Sequence, residues 1–383
     1  MSVTAAQGFI AAGVAAGLKS SGGLDVALVV NQGPSNAAAA VFTLNRAKAN
    51  PILWSEQVIA DGVASAIVLN SGGANCFTGA AGFQLTHATA EAVAAALGSS
   101  AGDVLVCSTG LIGTGLDRGK LLGGVQAAAA AADTDGGSDA AAAIMTTDSH
   151  QKTAVASGDG WTVGGMAKGA GMLAPGLATM LVVLTTDAAL DAAELDTALR
   201  AATRVSFDRL DSDGCMSTND QVTLMASGAS GILPEPAEFQ RVLTEVCSSL
   251  ALQLMADAEG ASHEITIEVT GAVTEDDAIE VGRSVARNNL FKAAMFGNDA
   301  NWGRVLAAIG TTSAEFDPYN VDVSMNGVRV CHAGEPDQPR ELVDLAPRSV
   351  HVGIALNVGE AVATILTNDL THEYVHENSA YSS

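Results

Sequence analysis

A threonine that follows a small residue and precedes an apolar run can become an N-terminal nucleophile. Residues 168–184 have this layout: Lys168-Gly-Ala-Gly-Met-Leu-Ala-Pro-Gly-Leu-Ala178-Thr179-Met-Leu-Val-Val-Leu. Two flexible turns and a proline lead to Ala178-Thr179, and a buried strand is expected directly afterwards. The chemistry permitted is a self-cleavage. The Thr179 hydroxyl attacks the preceding carbonyl, an ester forms, and hydrolysis frees a threonine α-amine. That amine, with an ordinary pKa near ~8, then serves as base for its own hydroxyl. Spacing alone leaves a second reading open, a Gly-rich loop that enters a core strand.

Other chemistries lack their residues. There is no GxxxxGK[ST] phosphate loop and no HExxH zinc motif. Gly169-Ala-Gly-Met-Leu-Ala174 fits the G-x-G-x-x-A dinucleotide pattern. The residues before it read as a Gly-rich segment carrying Lys168, not a buried strand end, and Pro175 disfavours the helix that should hold a pyrophosphate. Asp211-Ser-Asp213-Gly lacks the sixth-position glycine and the closing Glu of a calcium loop, so it reads as an Asx-stabilised turn. Seven histidines show no ligand spacing, and His351 on an apolar strand reads as structural. No metal and no cofactor is expected. The five cysteines (Cys76, Cys107, Cys215, Cys247, Cys331) form no CxxC pair and read as reduced cytosolic thiols. Cys107 falls at a strand end and is expected to pack. No serine sits in GxSxG.

The elements that must position this chemistry alternate along the chain. Asp25–Val30, Ala66–Leu69 and Asp103–Cys107 read as buried strands. The third runs into Ser108-Thr-Gly-Leu-Ile-Gly-Thr-Gly115, a Gly-rich turn. Thr86–Leu97 and residues 119–132 read as Ala-rich helices, and Thr134–Asp139 as the best linker. Trp161–Val163 reads as a strand end ahead of a Gly-dense stretch, Gly164–Gly176. A strand at Met180–Leu184 and a helix at Asp191–Val205 follow. Ser262–Val269 alternates polar and apolar residues, as a half-buried strand does. Glu275–Lys292 reads as one helix and Val350–Leu356 as a strand. No 20–50-residue repeat occurs, no domain boundary is sharp, and the class is α/β or α+β with sizeable sheets.

Composition narrows the partners. The 383 residues carry 18 Lys plus Arg and 42 Asp plus Glu, a net charge of −24. That excess argues against a nucleic-acid binder or an anionic-membrane protein. Hydrophobic residues at 48% argue against disorder, and aromatics at 4% leave a core of Ala, Val, Leu and Ile. The first 17 residues lack a basic n-region, and no apolar stretch reaches a membrane span, so a cytoplasmic protein is expected. The charge is uneven: 7 basic and 11 acidic residues precede Thr179, and 11 basic and 31 acidic residues follow from it.

Seven blocks, in order, resemble the ornithine acetyltransferase family, the glutamate N-acetyltransferases of the cyclic arginine pathway. They are Asn70-Ser-Gly-Gly-Ala-Asn75, Cys107-Ser-Thr-Gly-Leu-Ile-Gly113, Met145-Thr-Thr-Asp148, the Lys168–Leu181 block, Ser217-Thr-Asn-Asp220, Asn301-Trp-Gly-Arg304 and Glu377-Asn-Ser-Ala-Tyr-Ser-Ser383. The resemblance runs from near residue 20 to the last residue.

What the resemblance implies is specific. The fold would be α/β with layered sheets and helices, self-processing like an N-terminal-nucleophile hydrolase. Cleavage between Ala178 and Thr179 would give an α chain, 1–178, and a β chain, 179–383, associated as an α2β2 heterotetramer. Thr179 would take the acetyl group from N2-acetyl-L-ornithine, release ornithine and pass the acetyl to L-glutamate, a ping-pong sequence. Thr109 and Gly110 would form the oxyanion hole. Lys168, Glu259, Asn378 and Ser383 would bind substrate, together with Thr146 or its neighbour Thr147. The C-terminal serine would then be ordered within the site, where an ordinary tail frays. Residues alone would also allow a plain turn at Thr109-Gly110, a solvated loop lysine at Lys168 and a surface carboxylate at Glu259. Arg304 stays unassigned between site wall and interface. Whether acetyl-CoA is a second donor stays open. So do a self-processing amidohydrolase or aminopeptidase that delivers the acyl group to water, and a secondary-metabolism paralogue.

Overall fold

The computed structural model describes residues 2–174 and 180–380. They form two compact units. Unit 1 holds the described residues of Met1–Ala170, Gly176–Asp208 and Met216–Leu254; unit 2 holds those of Gly171–Pro175, Arg209–Cys215 and Met255–Ser383. The absence of a sharp boundary in the sequence has its reason here, because the chain passes between the units several times. This division is distinct from the expected cut before Thr179.

Unit 1 has two sheets. The first contains β1 (Phe9–Val14), β2 (Val26–Asn31), β4 (Ala66–Asn70) and β5 (Val104–Ser108), in the order β1-β2-β4-β5. The second contains β3 (Ala37–Phe42), β6 (Lys152–Ser157), β7 (Thr162–Lys168), β8 (Leu181–Thr186) and β9 (Gln221–Ala226), in the order β3-β9-β8-β7-β6. Strands β2, β4 and β5 are buried on both faces, which is why they read as unbroken apolar runs. Their alternate residues enter two different cores. Val26, Leu28, Val68 and Val106 face the helices α2 (Gly79–Leu97) and α3 (Arg118–Ala131). Ala27, Val29, Ile67, Leu69 and Leu105 face the second sheet, meeting Met166, Leu181, Val183 and Met225. Each fully buried Val or Leu contributes ~1.5–3 kcal/mol, so the alternation fixes the register of both sheets.

The remaining helices of unit 1 are α1 (Asn50–Val58), α4 (Gly137–Ala143), α5 (Ala192–Arg204) and α6 (Pro236–Ala256). Helix α5 starts at a capping box, with Asp191 and Glu194 each bonding the other's backbone N–H. Helix α6 packs on the outer face of the second sheet. There a Cβ on Gly165 would lie 2.8 Å from Leu184 Cδ2 and 3.0 Å from Leu250 Cδ1, so the glycine lets strand and helix approach. Unit 1 is thus a helix–sheet–sheet–helix sandwich, the layered α/β class expected.

Several expectations are corrected. The Gly-dense stretch after Trp161 is not loop throughout, since β7 runs through Gly164 and Gly165 to Lys168. A buried strand therefore does precede Gly169. The dinucleotide reading falls on other ground, because residues 169–174 are bends and coil. Thr134–Asp139 is no linker: Asp133 bridges Ala11 of β1, and Gly137 begins α4 and is buried. Helix α2 begins seven residues before Thr86.

Unit 2 is one six-stranded sheet. Its strands are β10 (Glu264–Ala272), β11 (Asp322–Met325), β12 (Val328–His332), β13 (Glu335–Pro336), β14 (Ser349–Ala355) and β15 (Ala361–Asn368), in the order β13-β12-β11-β14-β10-β15. Ile265, Ile267 and Val269 of β10 point into a core shared with α7 (Glu275–Ala286), α8 (Asn289–Phe296) and α9 (Trp302–Ile309). The segment read as one helix over 275–292 is two. Asn288 takes extended backbone angles and its side chain accepts from Phe291 N–H, starting α8 afresh. A last helix, α10 (His372–Ala380), carries Asn378. Among the described residues, no helix is long and apolar enough to cross a membrane.

Candidate active site

Three strand ends of unit 1 converge through register. Lys168 at the end of β7 pairs with Leu181 at the start of β8, and Leu181 pairs in parallel with Gln221 at the start of β9. Lys168, Met180 and Asp220 therefore meet at one edge of the second sheet. Ala178 and Thr179, the expected cleavage site and nucleophile, lie outside the described residues, and Met180 is the first described residue after them.

The other sheet supplies the Thr109 loop. Strand β5 ends at Ser108, and Thr109 N–H donates to Asn70 O at 2.9 Å. Lys168 Nζ donates to Thr109 Oγ1 at 3.3 Å, with both side chains buried. Accepting from the ammonium leaves the Thr109 O–H to donate elsewhere. Gly110 follows with φ +128°, and a Cβ there would lie 2.8 Å from Gly73 Cα and N. The Thr109 carbonyl accepts from Gly73 N–H, which holds the two glycine-rich turns together. Gly110 N–H has no acceptor among the described residues. A hydroxyl and a backbone N–H in succession are what an oxyanion hole requires. Asn219 braces the loop from the far side, donating to Ala74 O at 2.6 Å and Ser108 O at 2.8 Å.

Beneath Lys168 is a buried carboxylate that received no role from the sequence. Asp148 accepts from Lys152 Nζ at 2.7 Å, Gly169 N–H at 2.7 Å and Thr146 N–H at 2.9 Å. Burial pushes its carboxyl up, but Lys168 and Lys152 and these bonds outweigh it and hold the pKa down at about 2. Asp148 ties the 146–148 turn to the end of β7. Of the two threonine candidates, Thr146 is half-buried and anchored to Asp148, and Thr147 is exposed. Cys107 is buried, and burial pushes its thiol upward, the condition of a packing group.

Glu259 and Asn378 belong to unit 2 and meet there, with Asn378 Nδ2 donating to Glu259 Oε2 at 3.0 Å. Glu259 helps line a cavity of about 110 Å³ with Ser212, Asp213, Lys292, Asn368 and Tyr374. Burial lowers the Lys292 pKa to about 8, opposed by Asp213, Asp211 and Asp369. Its ammonium donates to Ser212 O, Asn368 O and Thr367 Oγ1, tying the 212 turn to the end of β15. Asp213 in turn accepts from Met172 N–H at 2.7 Å. Ser383 lies outside the described residues. His351 pairs with Glu268 at 3.2 Å on an exposed sheet face, and half-buried Arg304 caps Leu290 O. Among the described residues, no cluster of His, Cys, Asp and Glu could hold a metal ion.

Sequence reasoning missed Asp148, Asn219 and Asp220 as site builders. All three lie in blocks that carried the family resemblance, so their positions were visible and their roles were not.

A profile of the ArgJ family matches residues 10–383. The arginine biosynthesis bifunctional protein ArgJ of Streptomyces avermitilis is 64% identical over 383 residues, covering 100% of both chains. The protein of that name from Mycobacterium tuberculosis is 55% identical over 389 residues, covering 100% of this chain and 96% of its own. A solved structure, ornithine acetyltransferase complexed with ornithine from Mycobacterium tuberculosis, is 56% identical, covering 47% of this chain and 96% of its own, with a TM-score of 0.45. On the profile and the matching full-length relatives, the chain belongs to the ArgJ family.

Proposed function

We propose that this protein transfers the acetyl group of N2-acetyl-L-ornithine to L-glutamate through an acetyl-Thr179 ester. The observation that carries the reading is the buried pair of Lys168 and Thr109, followed by Gly110 with an N–H that has no acceptor among the described residues. Family membership supplies the substrates.

The precursor cleaves between Ala178 and Thr179 into chains of 178 and 205 residues. The freed α-amine accepts the proton of the Thr179 hydroxyl, whose oxygen attacks the acetyl carbon. Thr109 O–H and Gly110 N–H stabilise the oxyanion, each donor lowering the barrier by ~3–4 kcal/mol. Collapse breaks the amide C–N bond, and ornithine leaves with the proton. Glutamate attacks the ester with its amine in the second half-reaction. Lys168 holds the α-carboxylate common to both substrates, with Thr146 beside it. Glu259 takes an ammonium group, and Asn378 orients Glu259. Ser383 completes the substrate contacts.

The assembly is two α and two β chains, and its place of work is the cytoplasm, where thiols such as the five free cysteines stay reduced. The relatives' name, bifunctional protein, favours a second reaction, and acetyl-CoA is its donor in this reading. No resident cofactor takes part.

Initial-rate kinetics test the proposal. Varying acetylornithine at several glutamate concentrations gives parallel double-reciprocal lines, as ping-pong transfer requires. Intersecting lines, or acetate release that ignores glutamate, would replace it with direct transfer or hydrolysis.

A further inference from the structure

We infer that Asp220 is a positioning residue for the reaction at Thr179, holding the peptide group that follows the nucleophile. The inference rests on the reading of Thr179 given above.

Asp220 is fully buried, one residue before β9. Strands β8 and β9 run parallel with Leu181 beside Gln221, so Met180 and Asp220 are neighbours at two strand starts. Met180 N–H donates to Asp220 Oδ1 at 3.1 Å, and Gln221 N–H donates to Met180 O at 3.2 Å. The Met180 nitrogen is bonded to the carbonyl carbon of Thr179. A carboxyl that fixes this N–H fixes the plane of the whole peptide unit, because the C–N bond does not rotate. That plane contains the Thr179 Cα, so one rotatable bond separates it from the Thr179 amine and side chain.

A second observation is independent of that bond. Asp220 Oδ2 is buried without a hydrogen-bond partner among the described residues. An unsatisfied, fully buried carboxylate oxygen is costly, and an apolar side chain would not carry that cost. Burial pushes this carboxyl well above the usual range, with the Ser217 hydroxyl, Met180 N–H and the charge of Lys168 pulling the other way. In the neutral form it keeps an acceptor for Met180 and gains an O–H to donate. The adjacent Asn219 holds Ala74 and Ser108, so the 217–220 turn braces both the start of β8 and the Thr109 loop.

The experiment compares full-length wild type with Asp220→Asn, Asp220→Ala and Asp220→Val. Processing is followed by intact mass, turnover by kcat and KM, and folding by thermal melting. Misplacing a reacting group by an ångström costs up to ~100-fold, so folded Ala or Val variants should lose at least ~10-fold in processing rate and kcat, with KM within ~2-fold. Asp220→Asn keeps the acceptor and should restore both rates to within ~3-fold of wild type. Folded Ala or Val variants with wild-type rates would overturn the assignment. So would an Asn variant as slow as they are, or failure of both apolar variants to fold, which would make Asp220 a folding residue. A wild type that is never split before Thr179 would instead remove the reading of Thr179 itself.

Discussion

The Lys168 ammonium lies 3.3 Å from the Thr109 hydroxyl, joining the end of β7 in one sheet of unit 1 to the loop after β5 in the other. In the proposed reaction the pair would couple substrate binding to oxyanion stabilisation, with one cation holding the carboxylate and orienting the hydroxyl. Lys168→Met should raise KM for both acetylornithine and glutamate. A hydrogen bond to a charged group contributes ~1.5–3 kcal/mol, so the rise should be ~10- to 100-fold. Steady-state kinetics check it, and an unchanged KM for either substrate would remove Lys168 as the carboxylate's partner.

Gly110→Ala should lower kcat with little effect on KM. The residue sits at φ +128°, where a side chain is strained, and its Cβ would press on the Gly73 backbone at 2.8 Å. The N–H must then move. Loss of one oxyanion donor costs ~100- to 1,000-fold in kcat. A variant with wild-type kcat would place the oxyanion hole elsewhere.

Asp148 should give the fold an acid-sensitive component. Its pKa is held at about 2 in the folded protein, below the ordinary ~3.9. A depressed carboxyl stabilises the fold at pH above ~4, and the contribution is lost as pH falls from there through about 2, worth ~2–3 kcal/mol. Melting temperature measured from pH 5 to pH 2.5 should therefore fall more steeply for wild type than for Asp148→Asn. At pH 7 the Asn variant should be the less stable, because Lys152 and Lys168 lose their counter-charge. Parallel acid profiles would contradict this account of Asp148.

The C-terminal residues should act on binding. Asn378→Ala removes the 3.0 Å bond to Glu259, which is solvent-exposed, and should raise KM by ~2- to 10-fold, the effect of one hydrogen bond of about 0.5–1.5 kcal/mol. Deleting Ser383 should also weaken substrate binding. Unchanged kinetics in the deletion would mean that the last residue is only a tail.

The strands around the site were legible because burial on both faces leaves an unbroken apolar run, as in Val26–Asn31 and Val104–Ser108. Helix α5 was legible from its Asp191 cap and strong apolar stripe. Strand β7 was not, because glycines admitted for close packing, Gly165 against α6 and Gly164 against Ser2, look like loop residues when only the chain is read. Helix α8 was hidden because Asn288 restarts the helix without a glycine or proline to mark the break. Within the site, Thr109, Gly110 and Lys168 came from motif resemblance, and the structure brings them together. Asp148 and Asp220 escaped because their roles depend on which backbone N–H groups the fold places against them, which spacing does not encode.

In the proposed reaction Thr179 becomes a chain terminus and carries the acetyl group. Purified protein incubated with acetylornithine alone, then analysed by intact mass and peptide sequencing, tests it directly. Two polypeptides of 178 and 205 residues are expected, with one acetyl group on the larger at its first residue, Thr179, removed on adding glutamate. Thr179→Ala should remain a single unacetylated chain. A full-length wild-type chain after long incubation at neutral pH, or a Thr179→Ala variant that still transfers acetyl to glutamate, would contradict it.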